Sequence, residues 1–329
     1  MGGDKAPREI VRGAVLAARE LPDVLLYLAG DETRVRQELA EAGWSGSNIE
    51  VSHAQTVIEM GDSPVEALRR KRGSSIEVAT RLVREGKAAA VVGAGNTGAA
   101  VAASSLFLGV LPTVKKAGIA VVFNTGEQPV VICDVGANVY AKPEHLIQYG
   151  VMASLYARDV LGIANPRVGL INVGEEDEKG NVLAKTTHAL FQKTRLNFIG
   201  NVEGVDIFRG TVDVVVCDGF VGNIVLKTAE GMAERLMHVV NHEIRQFVET
   251  LPNREEVGGS LRGALKGLER RLDYAEYGGA PLLGVNGTTI IAHGRSDAKA
   301  IFNAIRVAKR IGEVDLNSRF SEELMVVSA

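Results

Sequence analysis

The stretch Val130-Val131-Ile132-Cys133-Asp134-Val135-Gly136-Ala137-Asn138, followed by Lys142-Pro143-Glu144-His145, decides how the rest of the chain reads. Its short apolar run has no polar alternation, so it fits a strand buried on both faces. A polar turn then leads to a proline at the first turn of a helix, where the missing N–H costs nothing. The same rhythm extends outward in both directions. Val24–Ala29, Ala88–Gly93, Gly118–Phe123, Val168–Val173, Asn197–Gly200 and Val212–Cys217 read as further strands. Arg8–Glu20, Ser63–Arg72, Ser74–Gly86, Thr97–Leu108, Pro143–Leu161, Asn181–Thr194 and Ser296–Arg310 read as helices between them. Ser63 before Pro64, with Glu66 three residues on, marks one of those starts. Buried strands linked by helices predict an α/β fold with a mainly parallel sheet covered by helices.

The rhythm stops in one place. From residue 222 to 273 there is no strand pattern, only a long helix through Thr250, a break at Leu251-Pro252-Asn253 and a second helix from about Glu256. This predicts a helical hairpin within a single domain of residues 1–329. In the second helix Leu261, Leu265, Leu268 and Leu272 fall on one face, and Arg262, Lys266, Arg270 and Arg271 lie beside or opposite them. Such a face suits a lipid interface, an acidic partner or packing against another helix. The chain also opens unusually, because Met1-Gly2-Gly3-Asp4 runs straight into a helix, whereas a strand ordinarily feeds such a loop. The expectation is a strand upstream of Met1, whose loss exposes an apolar slot.

Composition narrows the function classes. With 46% hydrophobic and 23% charged residues the chain can bury a large core. The formal net charge of -3 gives no global electrostatic case for nucleic acid. The two cysteines, Cys133 and Cys217, end apolar runs and read as small core hydrophobes, neither disulfide nor nucleophile. The sequence contains neither a membrane-spanning apolar stretch nor a signal peptide, and a cytoplasmic location is expected.

In a wound sheet ligands bind at the carboxyl ends of strands, so the turns after the strands are where chemistry is sought. Gly95, Asn96, Thr97 and Gly98 open one helix, where free N–H groups and the helix dipole favour an anion; a plain tight turn is the alternative. Asp218, Gly222 and Asn223, with Lys227 one turn on, form a second such start. Asn138 and His145, in the quoted stretch, could orient a substrate or move a proton, although His145 also suits a capping role. Lys185, at the first turn of the helix after the acidic run Glu175–Glu178, could stabilise a phosphate or an oxyanion. Tyr277–Gly287 reads as a glycine-rich loop with an apolar centre, followed by His293-Gly294, that could line an acyl pocket; a structural crossover loop is the alternative. Nucleophile-elbow, P-loop, dinucleotide and zinc motifs are missing, so covalent, nucleotide-dependent and zinc routes lose weight, and neither cofactor nor metal is expected.

Residues 1–7 (MGGDKAP), 93–99 (GAGNTGA), 134–150 (DVGANVYAKPEHLIQYG), 171–181 (INVGEEDEKGN), 197–204 (NFIGNVEG), 214–231 (VVVCDGFVGNIVLKTAEG) and 277–287 (YGGAPLLGVNG) resemble the bacterial acyl-acyl carrier protein:phosphate acyltransferases, the PlsX family. The resemblance implies a three-layer α/β/α sandwich similar to isocitrate dehydrogenase and phosphotransacetylase. It implies a homodimer resting on the inner face of the cell membrane, with acyl carrier protein and inorganic phosphate as partners. It implies transfer of a long-chain acyl group to phosphate in phospholipid synthesis. Lys115-Lys116-Ala117-Gly118 departs from the Arg-Pro-Ala segment usual in that family. The competing enzyme reading is a phosphotransacetylase-like protein acting on short-chain acyl coenzyme A; a metal-dependent dehydrogenase or a scaffold fits the polar turns less well.

Overall fold

A computed structural model describes residues 1–124, 128–251, 257–259, 261, 263, 265, 267 and 278–328. Helix α1 (Arg8–Glu20) leads into β1 (Leu26–Gly30), α2 (Glu32–Glu41) and β2 (Ile49–His53). Next come α3 (Pro64–Arg70), α4 (Ser75–Arg84), β3 (Ala90–Gly93) and α5 (Thr97–Phe107). Strands β4 (Gly118–Asn124) and β5 (Pro129–Cys133) precede α6 (Pro143–Asp159), β6 (Val168–Ile171), α7 (Val182–Phe191) and β7 (Phe198–Val202). Strand β8 (Val214–Val216) feeds the long helix α8 (Gly219–Glu249). Strands β9 (Ala280–Leu283) and β10 (Thr288–Ile291) are followed by α9 (Ala298–Glu313) and α10 (Leu316–Ser328).

Eight strands form one sheet in the order β3-β10-β9-β4-β5-β8-β6-β7. Strand β9 runs antiparallel to β10 and β4, and β4 antiparallel to β5; the other neighbours are parallel. The period-2 alternation of strands sends Ala120 and Val122 of β4 to one face and Ile119, Val121 and Phe123 to the other. The first face packs on α6, α9 and α10 through Tyr149, Met152, Ile301 and Phe320. The second packs on α5 and α8 through Ala100, Val101, Val221 and Val225. These are the three layers that the buried strands require.

Strands β1 and β2 form a separate two-stranded parallel sheet. Between β1 and β3 lies a cavity of about 550 Å³, lined by Ile10, Ala14, Leu26, Leu82, Val92 and Ile305 among others.

Three strands and two helices were not anticipated. Ala280–Leu283 is a strand rather than part of a loop, with Leu282 and Leu283 buried. It is flanked by Gly278, Gly279 and Gly284, all at positive φ, and that glycine density hides a four-residue strand. β10, β2, α2 and α10 also lie outside the expected elements. In the hairpin region, α8 ends at Glu249, and residues 257–259, 261, 263, 265 and 267 are helical. Arg262, Lys266, Leu268, Arg270, Arg271 and Leu272 lie outside the described residues.

Candidate active site

At neighbouring strands β5 and β8 the chain leaves in opposite directions, to α6 on one face and to α8 on the other. Such a divergence at the carboxyl ends of two neighbouring strands is where a wound sheet places its ligand site. Asp134 organises its floor. The carboxylate is fully buried and accepts N–H bonds from Ile119 (2.9 Å), Gly136 (3.1 Å), Ala137 (3.0 Å) and Asn138 (2.7 Å). Burial pushes the acid above the usual carboxylate range, and the backbone donors pull it back. Its role is to fix the 134–138 turn.

Asn138 faces inward. Its side-chain NH₂ donates to the Ala117 carbonyl at 2.5 Å and to the Tyr149 hydroxyl at 2.8 Å, while its backbone carbonyl accepts from the N–H of Gly219, the first residue of α8, at 2.9 Å. Helix α8 meets the turn through glycine: a Cβ on Gly222 would lie 2.0 Å from the Asp134 carbonyl oxygen. Asn223 then stands against Gly136, whose added Cβ would be 3.8 Å from the Asn223 Oδ1. Asp218 caps α8 by accepting from Phe220 (2.9 Å) and Val221 (3.0 Å). A carboxylate therefore already occupies the first N–H groups of that helix, and the donors it leaves in the first turns are the Asn223 and Lys227 side chains. Lys227 is half-exposed and pairs with Glu230 at 2.8 Å.

The turn after β3 is held by its own side chain. The Asn96 Oδ1 accepts from Ala99 at 2.9 Å, capping α5, and its NH₂ donates to the carbonyls of Glu59, Met60 and Asp62 at 3.2, 3.1 and 3.0 Å. Both ends of that amide are engaged, so an anion here would be met by backbone N–H groups and by the exposed Thr97. Gly95 lies 3.5 Å from the Gly2 backbone, measured from an added Cβ, and Gly98 allows Pro64 to approach to 2.5 Å of such an atom.

The other candidate residues lie on α7, on α6 and on the segment after α8. Lys185 is exposed on α7, one turn after its cap Asn181, at the end of β6 beside β8. The adjoining acidic loop folds back on α7 through Asp177 and His188 at 3.3 Å. The buried His145 accepts from the Lys142 N–H through Nδ1 at 3.2 Å, closing the start of α6; burial holds its pKa below the usual histidine value. Leu261 and Leu265 are half-buried on the helical segment whose Gly258 lies against Val248 of α8, remote from these turns in sequence.

Sequence reasoning missed one neighbour of these groups, Tyr149, which hides in a helix that reads as core. His293, noted from the sequence only as following a loop that could line an acyl pocket, comes directly after β10, a strand too short to announce itself.

The architecture is that of the phosphotransacetylases: a Streptococcus pyogenes phosphotransacetylase superposes with a TM-score of 0.60 at 15% identity, covering 93% of this chain and 92% of the other. The EutD phosphotransacetylase from Staphylococcus aureus gives 0.57 at 16% identity over the same shares. At that identity the likeness establishes the fold. The chain itself belongs to the family described as fatty acid synthesis protein, whose profile matches residues 1–319. Within it, the phosphate acyltransferase of Desulforamulus reducens is 48% identical over 324 residues, 98% of this chain and 95% of the relative. That of Pelotomaculum thermopropionicum is 51% identical over 310 residues, 94% and 89% of the two chains. The protein is thus an acyl-transfer enzyme.

Proposed function

We propose that this protein moves a long-chain acyl group from acyl carrier protein to inorganic phosphate, releasing the carrier and an acyl phosphate for phospholipid synthesis. The observation that carries the reading is identity near one half, along almost the whole chain, to proteins named phosphate acyltransferase. The chemistry suits the turns described. Phosphate oxygen adds to the thioester carbonyl, the carbon–sulfur bond breaks, and no covalent enzyme intermediate is required. The protein has to hold an anion beside the thioester and stabilise charge on the carbonyl oxygen. The 95–98 turn, Asn223, Lys227 and Lys185 are the groups proposed for it.

The hairpin is proposed as the contact to a membrane, to the acidic carrier or to both, in a homodimer working at the inner face of the cell membrane. Supporting this, α8 exposes Met232, Leu236 and Phe247, apolar surface that a monomer in water would leave uncovered. Among the described residues no helix is long and apolar enough to cross a membrane, so any attachment through them is peripheral. Replacing Leu261 and Leu265 by glutamate would release the protein from anionic vesicles; a folded variant that still sediments with them defeats the membrane proposal.

The deciding experiment incubates the protein with phosphate and either palmitoyl-acyl carrier protein or acetyl coenzyme A, and traps acyl phosphate with hydroxylamine. Product from the carrier substrate is expected. Product from acetyl coenzyme A alone would favour the phosphotransacetylase-like reading.

A further inference from the structure

His293 lies where three turns meet. Strands β10 and β3 run parallel, so the residues after them emerge side by side, and the Ala292 N–H donates to the Gly93 carbonyl at 2.8 Å. The Gly294 carbonyl accepts from Asp4 at 2.9 Å, and Gly3 packs on the Ala94 carbonyl so closely that an added Cβ would lie 2.1 Å from it. The backbone of residues 292–294 is thereby set beside the 93–98 turn, and the charged groups that act on the imidazole are Lys227 and Glu230 of α8, Arg295 of its own turn and Asp4.

One contact fixes the tautomer. The His293 Nδ1 accepts from the Arg295 backbone N–H at 3.1 Å. A backbone N–H can only donate, so Nδ1 carries a lone pair and the ring proton resides on Nε2. Burial, followed by the charge of Lys227, disfavours a second proton. No described residue hydrogen-bonds Nε2. The ring is a neutral donor with no acceptor among the described residues.

The reaction needs such a group more than it needs a base. When hydrogen phosphate attacks, its oxygen bonds to the acyl carbon and the carbon–sulfur bond breaks. The proton lost by the phosphate hydroxyl is the one gained by the departing sulfur, so protons balance without the enzyme. What must be supplied is a donor for the oxyanion formed on the carbonyl oxygen. We propose that His293 is that donor, a catalytic residue presenting Nε2–H to the thioester oxyanion. This rests on the acyl-transfer reading above.

The test compares His293→Ala with His293→Gln, whose amide nitrogen can stand near the position of Nε2. The alanine variant should lose on the order of 100-fold in kcat, as for removal of one oxyanion donor. The glutamine variant should stay within about tenfold of wild type, and KM for phosphate should change less than about threefold in both. Nitrogen-15 spectra of the resting wild-type protein should show the Nε2–H tautomer of this ring across about pH 6 to 8. A glutamine variant as slow as alanine, a KM effect without a kcat effect, or a ring that protonates in that range overturns the assignment. Wild-type protein that makes no acyl phosphate removes the parent reading and this inference with it, an outcome told apart because it precedes any substitution.

Discussion

The Tyr149 hydroxyl accepts a 2.8 Å hydrogen bond from the Asn138 amide, and through it helix α6 holds the turn on which α8 begins. Tyr149 is completely buried, and burial pushes its phenol well above the usual range, so it stays protonated at any working pH. Tyr149→Phe should cost about 1 kcal/mol of stability and lower kcat a few-fold. Asn138→Ala should cost more, about 2 kcal/mol, because it strands the Ala117 carbonyl as well. Urea denaturation and the phosphate assay measure both; equal effects of the two substitutions would break the proposed order.

Two glycines of α8 should respond with opposite signs. Gly222→Ala drives a methyl against the Asp134 carbonyl and is expected to cost about 2–3 kcal/mol. Gly231→Ala meets nothing within 4 Å and should stabilise the helix by about 0.5–1 kcal/mol. Thermal melts of the pair decide it.

Asn96→Asp separates a cap from a latch. Aspartate caps a helix about as well as asparagine, so α5 should not suffer. The new oxygen, however, faces the carbonyls of Glu59, Met60 and Asp62, where the NH₂ donated before. A loss of about 2 kcal/mol is expected. If the variant melts with wild type, these three contacts hold nothing.

Stability should fall as the solution is acidified from about pH 8 to pH 5.5. His145 and His293 both have folded-state pKa values below the 6.5 of an ordinary histidine, each mainly through burial. Above 6.5 neither state is charged and the full stability is present. Below it the unfolded chain binds protons first, and stability drains away until the folded-state values are reached. Asp134, shifted upward by burial, acts in the opposite sense, disfavouring the folded state while ionised. Urea midpoints against pH should slope less in His293→Gln; an unchanged slope would exclude His293 as a contributor.

Lys185→Ala and Asn223→Ala should each slow phosphorolysis at least about tenfold, roughly 1.4 kcal/mol of transition-state stabilisation, with the fold intact. Single-turnover rates and circular dichroism report the two properties separately. Near-normal rates in both would remove these side chains from the chemistry.

The apolar runs made the centre of the sheet readable, because a strand buried on both faces has only one composition available to it. Arg8–Glu20 matches its helix residue for residue, since its apolar stripe and the break at Leu21 are both local signals. β9 and β10 stayed hidden because four residues between glycines carry too little pattern, and their pairing with β4 and β3 is a long-range fact. The site divides the same way. Glycine turns and charged residues after strands could be singled out, but not which side chains face inward. Asn138, Asn96 and Asp218 look alike as polar turn residues, yet each is engaged by backbone partners. His293 depends on where β10 ends.

The interval between β1 and β3 makes a fault line. Among the described residues no ladder hydrogen bonds join β1 to β3, so parting the small sheet from the large one there breaks packing and polar contacts of α1, α4 and α9 and leaves every strand pairing in the central sheet intact. The polar ties across it are few and local: the Lys309–Asp23 pair at 2.6 Å, the Ala298 N–H to Glu9 at 3.0 Å and the Asp4 N–H to the Gly294 carbonyl at 2.9 Å are among them. The protein should yield under load or heat along this line before any pairing in the central sheet parts, with the junction of β5 and β8 still assembled on the side that holds.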